Sequence, residues 1–219
     1  MVVVKISGKF VSPLDEPKIE GYSKVLNELI EKGLIKGIVV GGGTVARKYI
    51  SLAPENKALR DFLGIEASRL NATLLALNIK KSCIPVPNSI EQVLSCINRG
   101  SIPVLGGLQP GQSTNAVALI LAEITESKLV VNATTVDAVY DRPPHKPGAR
   151  KLKEVSVDKL KEILSSEWHN EPGRYELMDD LALSIAKRSK IKIAIVNGKE
   201  PENVVRAITE GIYGTLVLP

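Results

Sequence analysis

The chain alternates short runs of aliphatic residues with longer stretches in which apolar residues recur at helical spacing. Val2 to Ile6, Ile38 to Val40 and Leu129 to Val131 are short and almost wholly apolar, which is typical of strands buried on both faces of a parallel sheet. From Ile19 to Ile30 the apolar residues lie three or four positions apart, which predicts an amphipathic helix with a C-cap at Gly33. The alternation predicts an α/β protein: a three-layer αβα sandwich with a mainly parallel sheet.

The same alternation continues to the end of the chain and predicts one domain over residues 1–219. An approximate boundary between two lobes, without a linker, is predicted near residue 128. No internal repeat or low-complexity tract interrupts it. Further helices are predicted over 44–52, 57–78, 89–98, 116–123, 156–164, 181–189 and 202–209, and further strands over 83–86, 102–105, 193–196 and 215–218. Residues 141–148 are predicted to form a loop because they contain three prolines and a glycine.

Composition and charge narrow the classes of function. The formal net charge of +5 suits anionic ligands such as nucleotides. A nucleic-acid-binding module is disfavoured, because no dense run of lysine and arginine with interleaved aromatic residues occurs. No stretch has the apolar length of a membrane span, and the first residues do not resemble a signal peptide. We therefore expect a cytoplasmic protein with no membrane partner.

The two cysteines, Cys83 and Cys96, have neither CxxC spacing nor a nearby histidine. In a cytoplasmic protein such cysteines are usually reduced. The sequence therefore predicts two reduced thiols.

Four loops that follow predicted strands are candidates for chemistry, since the carboxyl ends of parallel strands meet along one crevice. In the first loop, Gly8 lets the backbone approach a phosphate, and Lys5 and Lys9 can neutralise charge; a small turn with solvated lysines is the alternative. In the second, Gly41 to Gly43 open a helix and Arg47 follows one turn later, although a tight turn would look the same. Neither GxxxxGK[ST] nor GxGxxG is present.

The third and fourth loops carry polar and aromatic groups. Gly106 to Thr114 supply amides and hydroxyls suited to a polar ring or a phosphate, and function and simple loop structure are about equally compatible with that segment. In Thr134 to Asp141, Tyr140 could pack on a flat adenine, while Asp137 could order the loop or assist a metal. A surface turn is the alternative there.

Taken in order, these segments resemble the archaeal-type UMP kinases of the amino-acid-kinase superfamily, and the resemblance covers essentially the whole chain. It is carried by KISGK, VGGGTVARKYI, RDFLGIEASRLNA, GGLQPGQSTNAVA, TTVDAVYD, MDDLALSIAKRSKI and GTLVLP. The resemblance implies an amino-acid-kinase-like fold and transfer of the γ-phosphoryl group of ATP to UMP, giving UDP for pyrimidine nucleotide biosynthesis. It also implies Mg²⁺ as the cofactor that accompanies ATP, with no metal-binding residue of the protein assigned.

The resemblance further implies which residues form the site, with acceptor binding in lobe 1–128 and ATP binding in lobe 129–219. The implied catalytic residues are Lys5, Lys9 and Arg47. The implied ATP-binding residues are Ser7, Gly8, Lys9, Gly43, Arg47, Thr134, Asp137, Tyr140 and Pro143. The implied UMP-binding residues are Gly42, Asp61, Leu108, Gln109, Pro110, Gly111, Gln112, Ser113 and Thr114. By resemblance we also expect a homohexamer and feedback inhibition by UTP.

The chain departs from the family pattern at three informative positions. Pro143 stands where an aspartate is common and leaves one expected ATP contact without a side-chain donor or acceptor. Ser184 stands where archaeal relatives usually have a lysine, and Asn115 where some superfamily kinases have an organising aspartate. Pro143 and Ser184 keep open the alternative of a noncatalytic nucleotide-binding regulator.

Other kinases of the fold are less compatible with the sequence. Isopentenyl phosphate kinases use a histidine just after the glycine-rich turn, whereas this chain has Arg47 in that region and no histidine before His145. Acetylglutamate, glutamate and carbamate kinases have acceptor motifs that are absent here. The scarcity of histidine does not exclude UMP as acceptor, because its phosphate is already ionised near neutral pH and needs no general base.

Overall fold

The structure is a computed structural model that describes residues 1–11, 16–142, 146–165, 177–211 and 213–219. The strands in chain order are β1 (Val2–Ile6), β2 (Ile35–Val40), β3 (Val104–Leu105), β4 (Leu129–Thr134), β5 (Val139–Tyr140), β6 (Lys151–Leu152), β7 (Glu154–Ser156), β8 (Lys192–Asn197) and β9 (Thr215–Leu218). The helices are α1 (Glu16–Glu31), α2 (Gly43–Leu52), α3 (Lys57–Ala76), α4 (Ile90–Asn98), α5 (Thr114–Ile124), α6 (Val157–Ser165), α7 (Asp180–Ser189) and α8 (Glu202–Thr209).

Seven strands form one sheet in the order β3-β2-β1-β4-β8-β9-β7. Strand β1 is central and parallel to both β2 and β4, so that Lys5 lies between Val39 and Asn132. Strands β8 and β9 are antiparallel, and β5 and β6 pair as a separate two-stranded sheet. The prediction of an α/β fold with a mainly parallel sheet is confirmed.

The core consists of one apolar cluster on each face of this sheet. Val3, Val39 and Val130 face α5, α6 and α7, whereas Val4 and Val131 face α1, α3 and α8. This alternation follows from the two-residue period of a strand. Two helical layers therefore cover the sheet, as the three-layer prediction requires.

Most predicted helices and strands are confirmed to within two residues. Gly33 lies two residues after the end of α1 and has a φ of 68°, which fits the predicted C-cap. Side chains cap several helices: Asn56 accepts from Leu59 N at 3.2 Å, and Ser89 accepts from Gln92 N at 3.3 Å. Among the described residues, no helix is long and apolar enough to cross a membrane.

The strand predicted over 83–86 is wrong. That segment is a loop, because Pro85 and Pro87 have no backbone N–H to donate to a neighbouring strand. The strand predicted over 102–105 is confined to β3, and Ile102 makes only an isolated bridge with Ser82. Strand β7 was not predicted, because three residues give too little periodicity.

The prediction of two reduced thiols is also wrong, since Cys83 and Cys96 form a disulfide with their Cα atoms 6.0 Å apart. Helix α4 runs back beside the loop that follows α3, which brings residues 13 apart in sequence together. The disulfide therefore fastens this loop to α4.

Candidate active site

The four candidate loops follow β1, β2, β3 and β4, which lie side by side in the sheet. Because these four strands are parallel, the loops leave the sheet at the same edge. The convergence predicted from the sequence is therefore present.

The loops after β1 and β2 meet through their backbones. A Cβ atom added to Gly8 would lie 2.1 Å from the carbonyl oxygen of Gly41 and 2.4 Å from the nitrogen of Gly43. Gly43 has a φ of 68°, a conformation that L side chains rarely adopt. Glycine is required at Gly8 by close approach and at Gly43 by conformation. Ser7 caps the short turn that contains Lys9 by accepting from Lys9 N at 3.4 Å.

A cavity of about 540 Å³ opens beside this contact. It is lined by the glycine turn, the exposed Arg47, two turns of α3 and the end of the loop after β3. The lining residues are Gly42, Gly43, Ala46, Arg47, Ile50, Asp61, Gly64, Ile65, Ser68, Gly107, Gly111, Gln112, Ser113, Thr114 and Asp179. Most of the predicted UMP-binding residues are thus brought together, while Leu108, Gln109 and Pro110 belong to the same loop without lining the cavity.

Asp61 lies near the start of α3 and holds the loop after β3. Its Oδ2 atom accepts a hydrogen bond of 2.8 Å from the backbone N–H of Gly111. A carboxylate that fixes a backbone N–H also places the neighbouring loop groups. Its predicted contact with the UMP sugar or base stays a prediction.

Two buried polar residues of α3 hold the glycine-rich segments and were not singled out from the sequence. Ser68 accepts from Gly107 N at 2.7 Å and donates to the Ile65 carbonyl at 2.7 Å. Asn71 donates to the carbonyl oxygens of Gly41 and Gly42 at 2.9 and 3.2 Å. The available signal was their place in RDFLGIEASRLNA, where polar residues interrupt the apolar face of the helix.

Lys5 is buried in β1 between Val39 and Asn132, and it is not one of the described residues that line the cavity. Desolvation lowers the pKa of its ammonium group from 10.5 to about 8, and the negative charge of Asp179 acts in the opposite direction. A buried ammonium is suited to binding an anion, because a nearby negative charge favours its charged form and opposes the effect of desolvation.

Asp179 is a site residue that sequence reasoning missed. Its carboxylate accepts from the hydroxyl of Ser113, and its Oδ1 caps α7 by accepting from Ala182 N at 3.0 Å. Ser113 in turn caps α5, accepting from Ala116 N at 3.0 Å. The sequence signal was an aspartate just before a helical pattern, in MDDLAL, which is typical of an N-cap.

Two buried asparagines share one hydrogen-bond acceptor, and one of them, Asn132, pairs with Lys5 in the register of the sheet. Asn115 and Asn132 both donate through Nδ2 to the carbonyl oxygen of Leu177 at 3.4 Å. Their Oδ1 atoms are buried and have no hydrogen-bond partner among the described residues. Position 115 carries a neutral amide where some superfamily kinases have an aspartate. The negative charge that acts on Lys5 comes instead from Asp179.

The predicted ATP-binding residues of the fourth loop lie outside this cavity. Thr134 ends β4 and is buried. The hydroxyl of Tyr140 donates to Asp137 Oδ1 at 3.2 Å, and Lys151 pairs with the same carboxylate and lies 6.0 Å from the Tyr140 ring centre. Partial burial opposes ionisation of Asp137, but the Lys151 ammonium brings its pKa below the usual value. Pro143 lies outside the described residues.

Ser184, which replaces an expected lysine, is exposed on α7. Its hydroxyl donates to the Asp180 carbonyl at 2.7 Å and accepts from Lys161 Nζ at 3.3 Å. An ammonium group from α6 therefore stands beside this position.

Glycine turns at neighbouring strand ends, a buried lysine and an adjacent cavity are features typical of α/β proteins that bind phosphate groups. The Amino acid kinase family model matches residues 1–197, and the chain belongs to this family. Its members transfer a phosphoryl group from ATP, and the chain is a kinase.

Several curated relatives match the chain over nearly its whole length. It is 54% identical over 219 residues to the uridylate kinase of Ignicoccus hospitalis, covering 100% of this chain and 99% of that one. It is 42% identical over 221 residues to the uridylate kinase of Hyperthermus butylicus, with 99% and 97% covered. The crystal structure of uridylate kinase from Archaeoglobus fulgidus superposes with a TM-score of 0.86 at 33% identity, covering 99% of both chains.

Proposed function

We propose that this protein phosphorylates UMP to UDP with ATP, as a step of pyrimidine nucleotide metabolism. The observation that carries the proposal is the cavity that Arg47, Asp61 and Gly111 to Thr114 line beside the contact between Gly8 and the glycine turn. Full-length similarity to proteins named uridylate kinase supports UMP as the acceptor.

Charge neutralisation and positioning account for the chemistry. Phosphoryl transfer places negative charge on the transferred group, and cations and backbone N–H groups stabilise that charge. Lys5, Lys9 and Arg47 supply the cations, and the N-terminus of α2 supplies N–H groups. The UMP phosphate attacks as an anion, so that no general base takes part.

The described residues contain no group of three histidine, cysteine or acidic side chains able to hold a metal ion. Mg²⁺ fits this donor set as an ion carried by the ATP phosphates, since it usually binds phosphate oxygens, water and one or two carboxylates. Asp179, a carboxylate that lines the cavity, would supply the protein's oxygen ligand to the ion. The ion would neutralise the phosphate charge.

The proposal has further parts that the family resemblance supports. Acceptor binding is assigned to residues 1–128 and ATP binding to residues 129–219. The protein is proposed to be a cytoplasmic homohexamer that UTP inhibits, with neither nucleic acid nor a membrane as partner. Light scattering tests the oligomer, and UTP titration at fixed UMP tests the inhibition.

A coupled assay of ADP formation tests the function. UMP, CMP, dUMP, AMP, GMP and isopentenyl phosphate are offered separately with Mg-ATP, and turnover largely confined to UMP is expected. Turnover with isopentenyl phosphate instead would assign a different acceptor. Failure with all six, by a folded protein that binds ATP, would indicate a regulator.

A further inference from the structure

Arg69, on α3, makes an unusually complete set of contacts with the start of the loop after β3. Its Nε donates to the Gly107 carbonyl at 3.1 Å, and its Nη2 donates to the Leu108 carbonyl at 3.1 Å. Nη2 also lies 3.5 Å from the Asn88 carbonyl, and Nη1 pairs with Glu66 at 2.7 Å. One guanidinium group thus joins α3, the loop before α4 and the loop after β3.

These contacts fix two successive peptide planes. Since a peptide unit is planar, holding the carbonyls of Gly107 and Leu108 also sets the direction of the next two N–H groups. The loop lies directly on α3 here, because a Cβ atom on Gly106 would be 2.5 Å from the nitrogen of Arg69. Arg69 therefore contributes to fixing the direction in which the chain leaves β3.

Helix α3 holds the same loop at two further points. Ser68 accepts from Gly107 N, and Asp61 accepts from Gly111 N. Unlike these two residues, Arg69 does not line the cavity, and its side chain is only 22% exposed. Its influence on a ligand must pass through the loop.

We propose that Arg69 is a positioning residue for the acceptor nucleotide, which it serves by fixing the loop that lines the acceptor cavity. The inference rests on the proposed function. A lysine cannot replace Arg69 fully, because its ammonium is a point charge without the planar fork that reaches two adjacent carbonyls.

Steady-state kinetics of Arg69→Met and Arg69→Lys test the inference. We expect Arg69→Met to raise the KM for UMP about tenfold, as the loss of two backbone hydrogen bonds implies, with the KM for ATP changed less than about twofold. The KM for UMP of Arg69→Lys should lie between those of wild type and Arg69→Met. Equal changes in both KM values, or an unchanged KM for UMP in a folded variant, would overturn it.

Two variants on the same helix serve as controls. Arg60 donates to the carbonyls of Pro54 and Ala53 at 2.9 and 3.2 Å. Like Arg69, it therefore holds two backbone carbonyls, but in the segment before α3 rather than in the loop after β3. Arg60→Met should lower thermal stability without selectively raising the KM for UMP. Glu66→Gln, which removes the ion pair but no carbonyl contact, should leave that KM close to wild type.

Two readouts separate positioning from stability. Ethylguanidine added to Arg69→Ala should partly restore the KM for UMP but do nothing for Arg60→Ala. Without substrate, backbone amide hydrogen exchange in residues 107–112 should be faster in Arg69→Lys than in wild type. The exchange of α5 should be the same in both proteins. If wild type fails to phosphorylate UMP, the proposed function fails; if only the exchange result is absent, the role of Arg69 fails.

Discussion

The backbone N–H of Gly111 donates a 2.8 Å hydrogen bond to the carboxylate of Asp61, a residue 50 positions earlier in the chain. A side chain predicted to contact the acceptor nucleotide therefore also fixes a loop that lines the same cavity. The predicted nucleotide contact and the observed loop contact involve the same carboxylate, so that one substitution tests both.

Asp61→Ala should raise the KM for UMP with a smaller change in kcat. Loss of a hydrogen bond to a charged group predicts an increase of about 10- to 100-fold. Asp61→Asn keeps an acceptor oxygen for Gly111 and should have a smaller effect. Initial rates at varied UMP measure both, and Glu55→Ala, a change to an exposed carboxylate before α3, is the control. An unaltered KM in Asp61→Ala would remove Asp61 from the site.

Lys9→Ala should lower kcat far more than it weakens UMP binding. Removal of one group that stabilises transition-state charge typically lowers kcat about 100- to 1000-fold. Calorimetry of UMP binding, together with kcat at saturating substrates, separates the two effects. Lys24→Ala, an exposed lysine on α1, should behave as wild type. A kcat within twofold of wild type would show that Lys9 has no catalytic role.

The buried ammonium of Lys5 predicts a pH dependence of stability. Its pKa is about 8 in the folded protein and 10.5 when exposed, so the unfolded chain binds more protons between these values. The free energy of unfolding should therefore rise with pH from about 8 to 10.5 through this group. Urea titrations across that range should show the rise in wild type and a smaller rise in Lys5→Met. Identical slopes would contradict a buried, titrating Lys5.

Asp179→Asn should move the alkaline limb of kcat/KM to lower pH. The substitution removes the negative charge that raises the pKa of Lys5 but keeps an oxygen that can cap α7, since asparagine and aspartate cap equally well. A pH profile of kcat/KM measures the shift. Asp180→Asn, which changes the exposed neighbouring carboxylate, is the matched control. A limb at the same pH in Asp179→Asn and wild type would show that the Asp179 charge does not act on Lys5.

Much of the fold could be predicted because local patterns carry it. The two-residue and helical periods give the strands and helices, and the loops at the parallel strand ends follow from that arrangement. The prediction of a strand over 83–86 was wrong because it was based on the apolar residues and neglected that Pro85 and Pro87 have no backbone N–H group. The disulfide escaped prediction because only the folded path of α4 brings Cys96 to Cys83.

The candidate site was predictable where glycine and charge occur at strand ends, and less so where a residue acts through another. Ser68 contacts Gly107 across 39 residues, and Asp179 contacts Ser113 across 66. Neither pairing leaves a local pattern in the sequence. Such residues become visible only when the hydrogen-bond partners of the loops are known.

Because Gly8 approaches Gly41 and Gly43 through main-chain atoms, the separation between the loops after β1 and β2 is set by the backbone. Side chains around the cavity can therefore be exchanged while the spacing of these two loops stays the same. This arrangement would let a family diversify its substrates on one unchanging reaction geometry.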